Sequence, residues 1–115
     1  MQCLNRVELR GYVGSSKVSV ISGTKCVRFT LATNYAYKAK DGTAVIETQW
    51  SSLVGFESAQ IKDVESIRKG DKLHVIGRMV SQRYTDADGV EHSYTEVRVQ
   101  RLERIEQEEP LQCEY

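Results

Sequence analysis

Cysteine is scarce in this sequence of 115 residues: Cys3, Cys26 and Cys113 are odd in number, widely spaced and in no CxxC pair. This pattern excludes a disulfide scaffold, argues against a zinc site and predicts a reducing compartment, the cytoplasm. No run of about 18 apolar residues occurs, so no membrane-spanning helix is predicted. The charged first ten residues are unlike an export signal, which needs an apolar stretch.

Catalytic motifs are also missing. The sequence has no glycine-rich phosphate loop, no GxSxG elbow and no HExxH pair. His74 and His92 fall on different predicted elements, and neither is followed by a carboxylate or cysteine at a ligand spacing. A chain of this length forms one domain, too short for a doubly wound or barrel enzyme. We therefore predict a protein that is not an enzyme and uses neither cofactor nor metal.

Charge is balanced overall but not along the chain. The 16 Lys and Arg residues equal the 16 Asp and Glu residues in number, which alone argues against a nucleic-acid binder. Five acidic residues but only one basic residue follow Leu102, so residues 1–102 carry a net charge of +4. A mildly basic body with an acidic end is compatible with binding a polyanion without requiring it.

Alternation of apolar and polar residues predicts a protein built mainly of β-strands. Apolar and polar residues alternate in 7–13 and, around Val27, Phe29 and Leu31, in 25–33, and residues 44–56 form a long run rich in β-branched and aromatic types. Asp41-Gly42 predicts a tight turn after the polar, aromatic and basic stretch 34–40. The remaining predicted strands are 73–79 and 93–101, joined by a turn at 86–89, while 18–21 is a short segment between stretches that contain glycine and serine.

The periodicity changes in residues 58–69, where Ile61, Val64 and Ile67 recur every third residue. This spacing predicts an amphipathic helix of about three turns, ended by Gly70 in the left-handed conformation. From Glu106 onward the periodicity stops. The predicted domain is therefore residues 1–105, and residues 106–115 are predicted to be a short disordered acidic tail.

This order of elements predicts an all-β fold. Three strands, one helix and then a two-stranded hairpin are typical of the OB-fold, a five-stranded Greek-key barrel with one helix between strands 3 and 4. The alternative is a five-stranded sheet with a helix on one side, as in SH3-like or ubiquitin-like folds.

Aromatic residues close to cations indicate where function lies. Tyr37 lies in a stretch with two lysines, Tyr84 follows Arg83, and Trp50 and Phe56 share one face of the predicted third strand. Proteins that bind single strands stack bases on flat rings, at about 1–3 kcal/mol per base, and pair phosphates with Lys or Arg. From periodicity alone, Trp50 and Phe56 are equally well explained as core residues.

Tyr12 and Tyr94 have a simpler explanation. Both fall within predicted strands, and tyrosine is common on half-buried strand surfaces. We therefore expect them to be ordinary sheet aromatics and do not include them in the predicted site.

The sequence resembles bacterial single-stranded DNA-binding proteins over about residues 4–102. The motifs that carry the resemblance are Asn5-Arg6-Val7 with Gly11 and Gly14, then Phe29-Thr30-Leu31-Ala32-Thr33-Asn34, Thr48-Gln49-Trp50, Arg68-Lys69-Gly70-Asp71, Gly77-Arg78, Tyr84-Thr85-Asp86-Ala87-Asp88-Gly89 and Thr95-Glu96-Val97. Each motif is short, but their order and spacing together are fairly specific.

The resemblance implies an OB-fold that binds single-stranded DNA without sequence preference, usually as a homotetramer. It also implies DNA-stacking roles for the aromatic residues at the matching positions, Tyr37, Trp50, Phe56 and Tyr84. Proximity and strand parity nominate the basic partners, which are Arg6, Arg10, Lys38, Arg78 and Arg83. The expected function is protection of exposed strands in DNA replication, recombination and repair, with replication or repair proteins as possible partners.

Two departures from the family pattern leave a second function open. Ser51 stands where the family commonly has a histidine linked to tetramer contacts, so a dimer is a possible alternative to a tetramer. The long Gly/Pro/Gln-rich linker and the acidic tip ending in Pro-Phe are not present. The alternative is an OB-fold protein-interaction module of a primosome-type assembly that binds DNA weakly.

Overall fold

The computed structural model describes residues 2–105 as a closed barrel of five strands. The strands are β1 (Val7–Ile21), β2 (Thr24–Lys38), β3 (Ala44–Phe56), β4 (Lys72–Thr85) and β5 (Glu91–Arg104). Neighbouring strands follow the order β1-β2-β3-β5-β4, and pairing between β1 and β4 closes the barrel. The predicted all-β OB-fold is confirmed. The predicted tail, residues 106–115, lies outside the described residues.

Alternation along the strands builds the core, as the sequence predicts. Val27, Phe29 and Leu31 of β2 point inward, and Leu73 and Val75 of β4 meet them in the barrel interior. Side chains of alternate residues project to opposite faces of a strand, so the same pattern directs the intervening residues outward. Burial of the inner set drives folding at about 25 cal/mol for each Å² of apolar surface removed from water.

The strands are longer than predicted. β1 runs without a break through Gly14, with a bulge where the register shifts between Val13 and Ser15. The Ser15 backbone N–H donates to Thr30 Oγ1 at 3.1 Å, which ties the bulge to β2. The polar, aromatic and basic stretch 34–40 belongs largely to β2, because β2 pairs with β3 as far as Lys38 and Ala44.

The predicted helix at 58–69 is wrong. Within that stretch one turn of 3₁₀ helix forms, Val64–Ser66, and Asp63 before it adopts the left-handed conformation with φ of 55°. Ile61, Val64 and Ile67 are nevertheless buried and belong to the core. Their spacing therefore reflects three side chains inserted into the barrel from a loop. No helix among the described residues is long and apolar enough to cross a membrane.

Both predicted tight turns form. The β4–β5 hairpin turns at residues 86–89, where the Gly89 N–H donates to the Asp86 carbonyl at 3.0 Å. Gly89 and Gly42 have φ of 79° and 89°, in the left-handed region that glycine occupies without strain. These turns set the register of the two long hairpins that carry most of the predicted site.

Candidate nucleic-acid interface

Trp50 lies on the outer face of β3 and is 56% exposed. Its indole ring reaches across β2 to the Gly14 backbone of β1. A Cβ built on Gly14 would lie 2.7 Å from Trp50 Cη2 and 3.0 Å from Thr30 Oγ1, closer than side chains pack. Because residue 14 is glycine, the indole ring can pack directly against the backbone of β1, while more than half of the Trp50 surface stays exposed to solvent.

Tyr12 is a neighbour of this tryptophan through strand pairing. Tyr12 pairs with Ala32 in β2, and Ala32 pairs with Trp50 in β3. Two strand spacings separate the aromatic residues by about 10 Å. Tyr12 is 42% exposed and Lys72 Nζ lies 5.6 Å from its ring centroid. Trp50 and Tyr12 thus lie on either side of Ala32 on one outer surface, and Lys72 lies beside Tyr12.

Phe56 lies on the same face of β3 as Trp50 but in different surroundings. It is half-buried and pairs with Cys26, which is fully buried. The guanidinium carbon of Arg98 lies 5.7 Å from the phenyl centroid, within the range of a cation–π contact. The ring of Phe56 is therefore covered in part by a neighbouring cation.

Tyr84 lies on the outer face of the β4–β5 hairpin and is 53% exposed. Its cross-strand partner is His92, and the two rings stack with centroids 5.0 Å apart and 20° between their planes. Tyr94, two residues after His92 on β5, has its ring centroid 6.1 Å from that of Tyr84. Tyr84 is therefore part of a cluster of three rings.

Asp86 anchors this cluster. Its Oδ2 lies 2.7 Å from His92 Nε2, while its Oδ1 accepts from the backbone N–H groups of Asp88 and Val90, each at 2.9 Å. The hydrogen bond with His92, followed by those from the backbone, lowers the pKa of Asp86 below its ordinary value of 3.8. The carboxylate thus stays ionised while it holds both the turn and the His92 ring.

Tyr37 does not join the other predicted aromatics. Alternation along β2 places it on the face opposite to Ala32, and hence opposite to Trp50. Its hydroxyl donates to Glu47 Oε1 at 3.0 Å, and this hydrogen bond, with the charge of the carboxylate, raises the Tyr37 pKa above its ordinary value of 10.0. Its ring lies 6.2 Å from that of Tyr35, a second tyrosine on the same face.

The predicted basic residues are spread over several surfaces. Arg10 pairs in register with His74, and Arg78 is exposed on the outer face of β4. Lys38 is exposed at the end of β2, and Arg6 is exposed just before β1. Arg83 lies on the face of β4 opposite to Tyr84, with its Nη1 3.6 Å from Glu91 Oε1. The structure therefore does not gather these five cations into one patch.

Sequence reasoning left out three exposed or half-buried residues that the structure adds. Tyr12 and Tyr94 were expected to be ordinary sheet aromatics, yet each lies beside a predicted stacking residue. Arg98 was not considered, although its position between the inward Val97 and Val99 indicates that it points outward. Strand register, which joins residues distant in the chain, is the signal that identifies all three.

The site has no feature of a metal centre. Among residues 2–105, no three His, Cys, Asp or Glu side chains are grouped so that they could hold a metal ion. The described free thiols are Cys3, which is exposed, and Cys26, which is buried. What the fold and the surface define is an OB-fold protein with aromatic and cationic side chains on the outside of its barrel.

Comparison with known proteins places the chain in a family. The sequence profile of the single-strand binding protein family matches residues 4–105, so the chain belongs to that family. It is 31% identical over 96 residues to a single-stranded DNA-binding protein of Xanthomonas axonopodis, covering 82% of this chain and 53% of that protein. It is 33% identical over 107 residues to one of Bacteroides thetaiotaomicron, covering 89% of this chain and 66% of that protein. The chain thus spans about half to two thirds of these relatives.

Solved structures share the fold at low sequence identity. A Plasmodium falciparum SSB in complex with ssDNA superposes with a TM-score of 0.78 at 22% identity, covering 92% of this chain and 98% of that one. A small single-stranded DNA-binding protein of Streptomyces coelicolor gives a TM-score of 0.65 at 16% identity, covering 88% and 94%. At these identities, the likeness establishes the architecture of the barrel.

Proposed function

We propose that this chain binds single-stranded DNA without sequence preference and without catalysing a reaction. The observation that carries the proposal is the exposed Trp50, whose ring lies over Gly14 with Tyr12 on the other side of Ala32. A soluble domain gains nothing in stability by leaving two large rings open to water, whereas a nucleobase can stack on either. Family membership supports the same function.

Binding proceeds in two physical steps. Cations on the outer strands, among them Lys72 and Arg78, attract the phosphate backbone and release its condensed counterions. Bases then stack on the exposed rings of Trp50, Tyr12 and Tyr84, which is tolerant of sequence because every base has a π-face. Tyr37 and Arg83, on other faces, contact the strand only if it wraps around the two hairpins.

The biological role follows from this activity. We propose that the protein protects exposed strands in DNA replication, recombination and repair, in the cytoplasm, and assembles as a homo-oligomer. A tetramer is favoured over a dimer by family resemblance, although Ser51 replaces the histidine linked to tetramer contacts. Replication and repair proteins are the expected protein partners.

A fluorescence titration with oligo-dT at two salt concentrations tests the proposal. Trp50 is the only tryptophan in the sequence, so its emission reports on the proposed interface alone. We expect strong quenching, and an affinity that falls as salt rises from about 50 to 200 mM. Oligo-U, titrated in parallel, measures the preference between DNA and RNA.

The opposite result would contradict the proposal. If the folded protein shows no quenching and an independent anisotropy assay with labelled oligo-dT shows no binding, single-strand binding is excluded. The protein-interaction module would then be the better explanation. If binding occurs without quenching, the proposed single-strand binding is supported, but bases do not stack on Trp50.

A further inference from the structure

A row of arginines crosses the outer face of four adjacent strands. Arg28 of β2 pairs with Val54 of β3, Val54 pairs with Arg98 of β5, and Arg98 pairs with Arg78 of β4. With strands about 4.8 Å apart, the three arginines begin within about 15 Å of one another. Val54 is almost completely buried although it faces outward, which is consistent with the arginine stems on both sides covering it.

One carboxylate compensates part of this charge. Glu96, two residues before Arg98 on the same face of β5, is only 5% exposed. Arg28 Nη1 donates to its Oε2 at 2.8 Å, and this pair neutralises both groups. Within the described residues, Arg78 and Arg98 form no ion pair, so two positive charges of the row remain uncompensated.

The Arg78–Arg98 pair conflicts with the rules of sheet stability. Like charges directly opposite one another on neighbouring strands are destabilising. Arg98 Nε is in addition buried without a hydrogen-bond partner, which costs free energy in the unbound protein. Phe56 stabilises the guanidinium from one side, but an aromatic ring accepts no conventional hydrogen bond. Such local conflicts are expected where a residue is kept for function rather than for stability.

An oxyanion relieves the repulsion between the Arg78 and Arg98 guanidinium groups. Guanidinium groups bind phosphate through paired N–H donors, and one anionic phosphate placed between two adjacent cations reduces their mutual repulsion. The apolar floor of Val54 and Phe56 excludes water from one side and so strengthens the electrostatic attraction. The row therefore has the charge, the free donors and the setting of a phosphate site.

We propose that Arg98 and Arg78, flanked by the Arg28–Glu96 pair, bind a backbone phosphate of single-stranded nucleic acid. The inference rests on the proposed function and adds Arg98, which sequence reasoning did not select. It also changes the part expected of Phe56. The phenyl ring supports Arg98 from below, and the guanidinium meets the ligand.

The slope of log affinity against log salt tests this site directly, because each phosphate contact to a single strand contributes about 0.7 to the slope. We would measure oligo-dT binding to the full chain by anisotropy between about 50 and 200 mM salt. The variants are R98Q, R78Q, the double variant and R98K. The control is K62Q, which removes an exposed cation from the loop between β3 and β4.

The expected result is a slope reduced by about 0.7 in R98Q, in R78Q and in the double variant alike, because the two arginines act on the same phosphate. R98K and K62Q should keep slopes close to that of the parent chain. R78Q is a safe second variant for folding, since Arg78 is exposed. A parent chain that binds with a steep slope while R98Q and R78Q keep that slope would overturn the phosphate site alone. A parent chain that does not bind oligo-dT would overturn the proposed function itself.

A second readout needs no nucleic acid. At constant ionic strength, inorganic phosphate should raise the melting temperature of the parent chain more than that of the double variant R78Q/R98Q, because only the parent retains the site. Equal shifts in both proteins would contradict the proposal.

Discussion

Trp50 and Phe56 lie on the same face of the same strand, about 20 Å apart along β3, and yet their surroundings are opposite. Around Trp50 the neighbouring strands present Gly14 and Ala32, and the ring stays open. Around Phe56 they present buried Cys26 and the guanidinium of Arg98, and the ring is half-covered. Strand parity thus determines the face of a residue, whereas the side chains that surround it determine whether its ring stays open to a ligand.

The largest effects are expected at these two positions, where substitution of Phe56 should lower stability and substitution of Trp50 should weaken DNA binding. Phe56→Ala should lower the free energy of unfolding by about 2 kcal/mol, part of the about 3–5 kcal/mol typical of a fully buried phenyl ring. Trp50→Ala should cost less than about 1 kcal/mol but weaken oligo-dT binding about tenfold or more, the loss of one stacked base. Urea unfolding and anisotropy measure the two quantities.

Phe56→Leu is the matched control, since it keeps an apolar side chain in the same space and should recover most of the stability. The comparison fails if Trp50→Ala destabilises the protein as much as Phe56→Ala, because Trp50 would then be a core residue.

An intermediate effect is expected from a side chain introduced at Gly14, where the Trp50 ring packs against the backbone of β1. Gly14→Ala places a Cβ against the six-membered ring of Trp50 and forces the indole to move. We expect the affinity for oligo-dT to fall about fivefold, near the lower end of the range for one stacked base. In the Trp50→Ala background the same substitution should have almost no effect, because the group it displaces is gone. Additive losses in this double-mutant cycle would show that Gly14 acts on binding by another route.

The smallest effect concerns the cluster around Tyr84, where His92 stacks against the Tyr84 ring and Asp86 holds His92. The hydrogen bonds that lower the pKa of Asp86 stabilise the fold above the unfolded value near 3.8, and this contribution is lost as pH falls through the lower folded value. Asp86→Asn should therefore lower the melting temperature near neutral pH, with a difference that shrinks below about pH 4.

Asp88→Asn, a substitution in the same turn, serves as the control. A melting-temperature difference for Asp86→Asn that is independent of pH would show that the Asp86 carboxylate does not supply this stabilisation.

Local sequence patterns predict the interior of this barrel better than the loop between β3 and β4. The alternation of Val27, Phe29 and Leu31 depends only on neighbouring residues, and it identifies the inner face correctly. The helix expected at 58–69 does not form, because Ile61 and Val64 are held by contacts with the barrel. A loop that inserts every third side chain into a core shows the same periodicity as a helix.

The candidate site is predictable in part for the same reason. Exposure of Trp50 depends on Gly14 and Ala32, and the surroundings of Phe56 depend on the parallel pairing of β3 with β5. These contacts join residues that are distant in the chain. The sequence therefore predicts which residue types serve the site, while the register decides which of them are available.

The closure of the barrel has a consequence for the order of folding. The β1–β4 seam joins residues as far apart in the chain as Val7 and Gly77, whereas β1 and β2 form a hairpin of near neighbours. Pairings between distant segments carry the larger loop-closure entropy, so we expect the β1–β4 seam to form after the β1–β2 hairpin. The surface from Lys72 through Tyr12 to Trp50 crosses this seam. A nascent or partly folded chain therefore lacks an intact interface, and acquisition of the proposed activity would report that folding is complete.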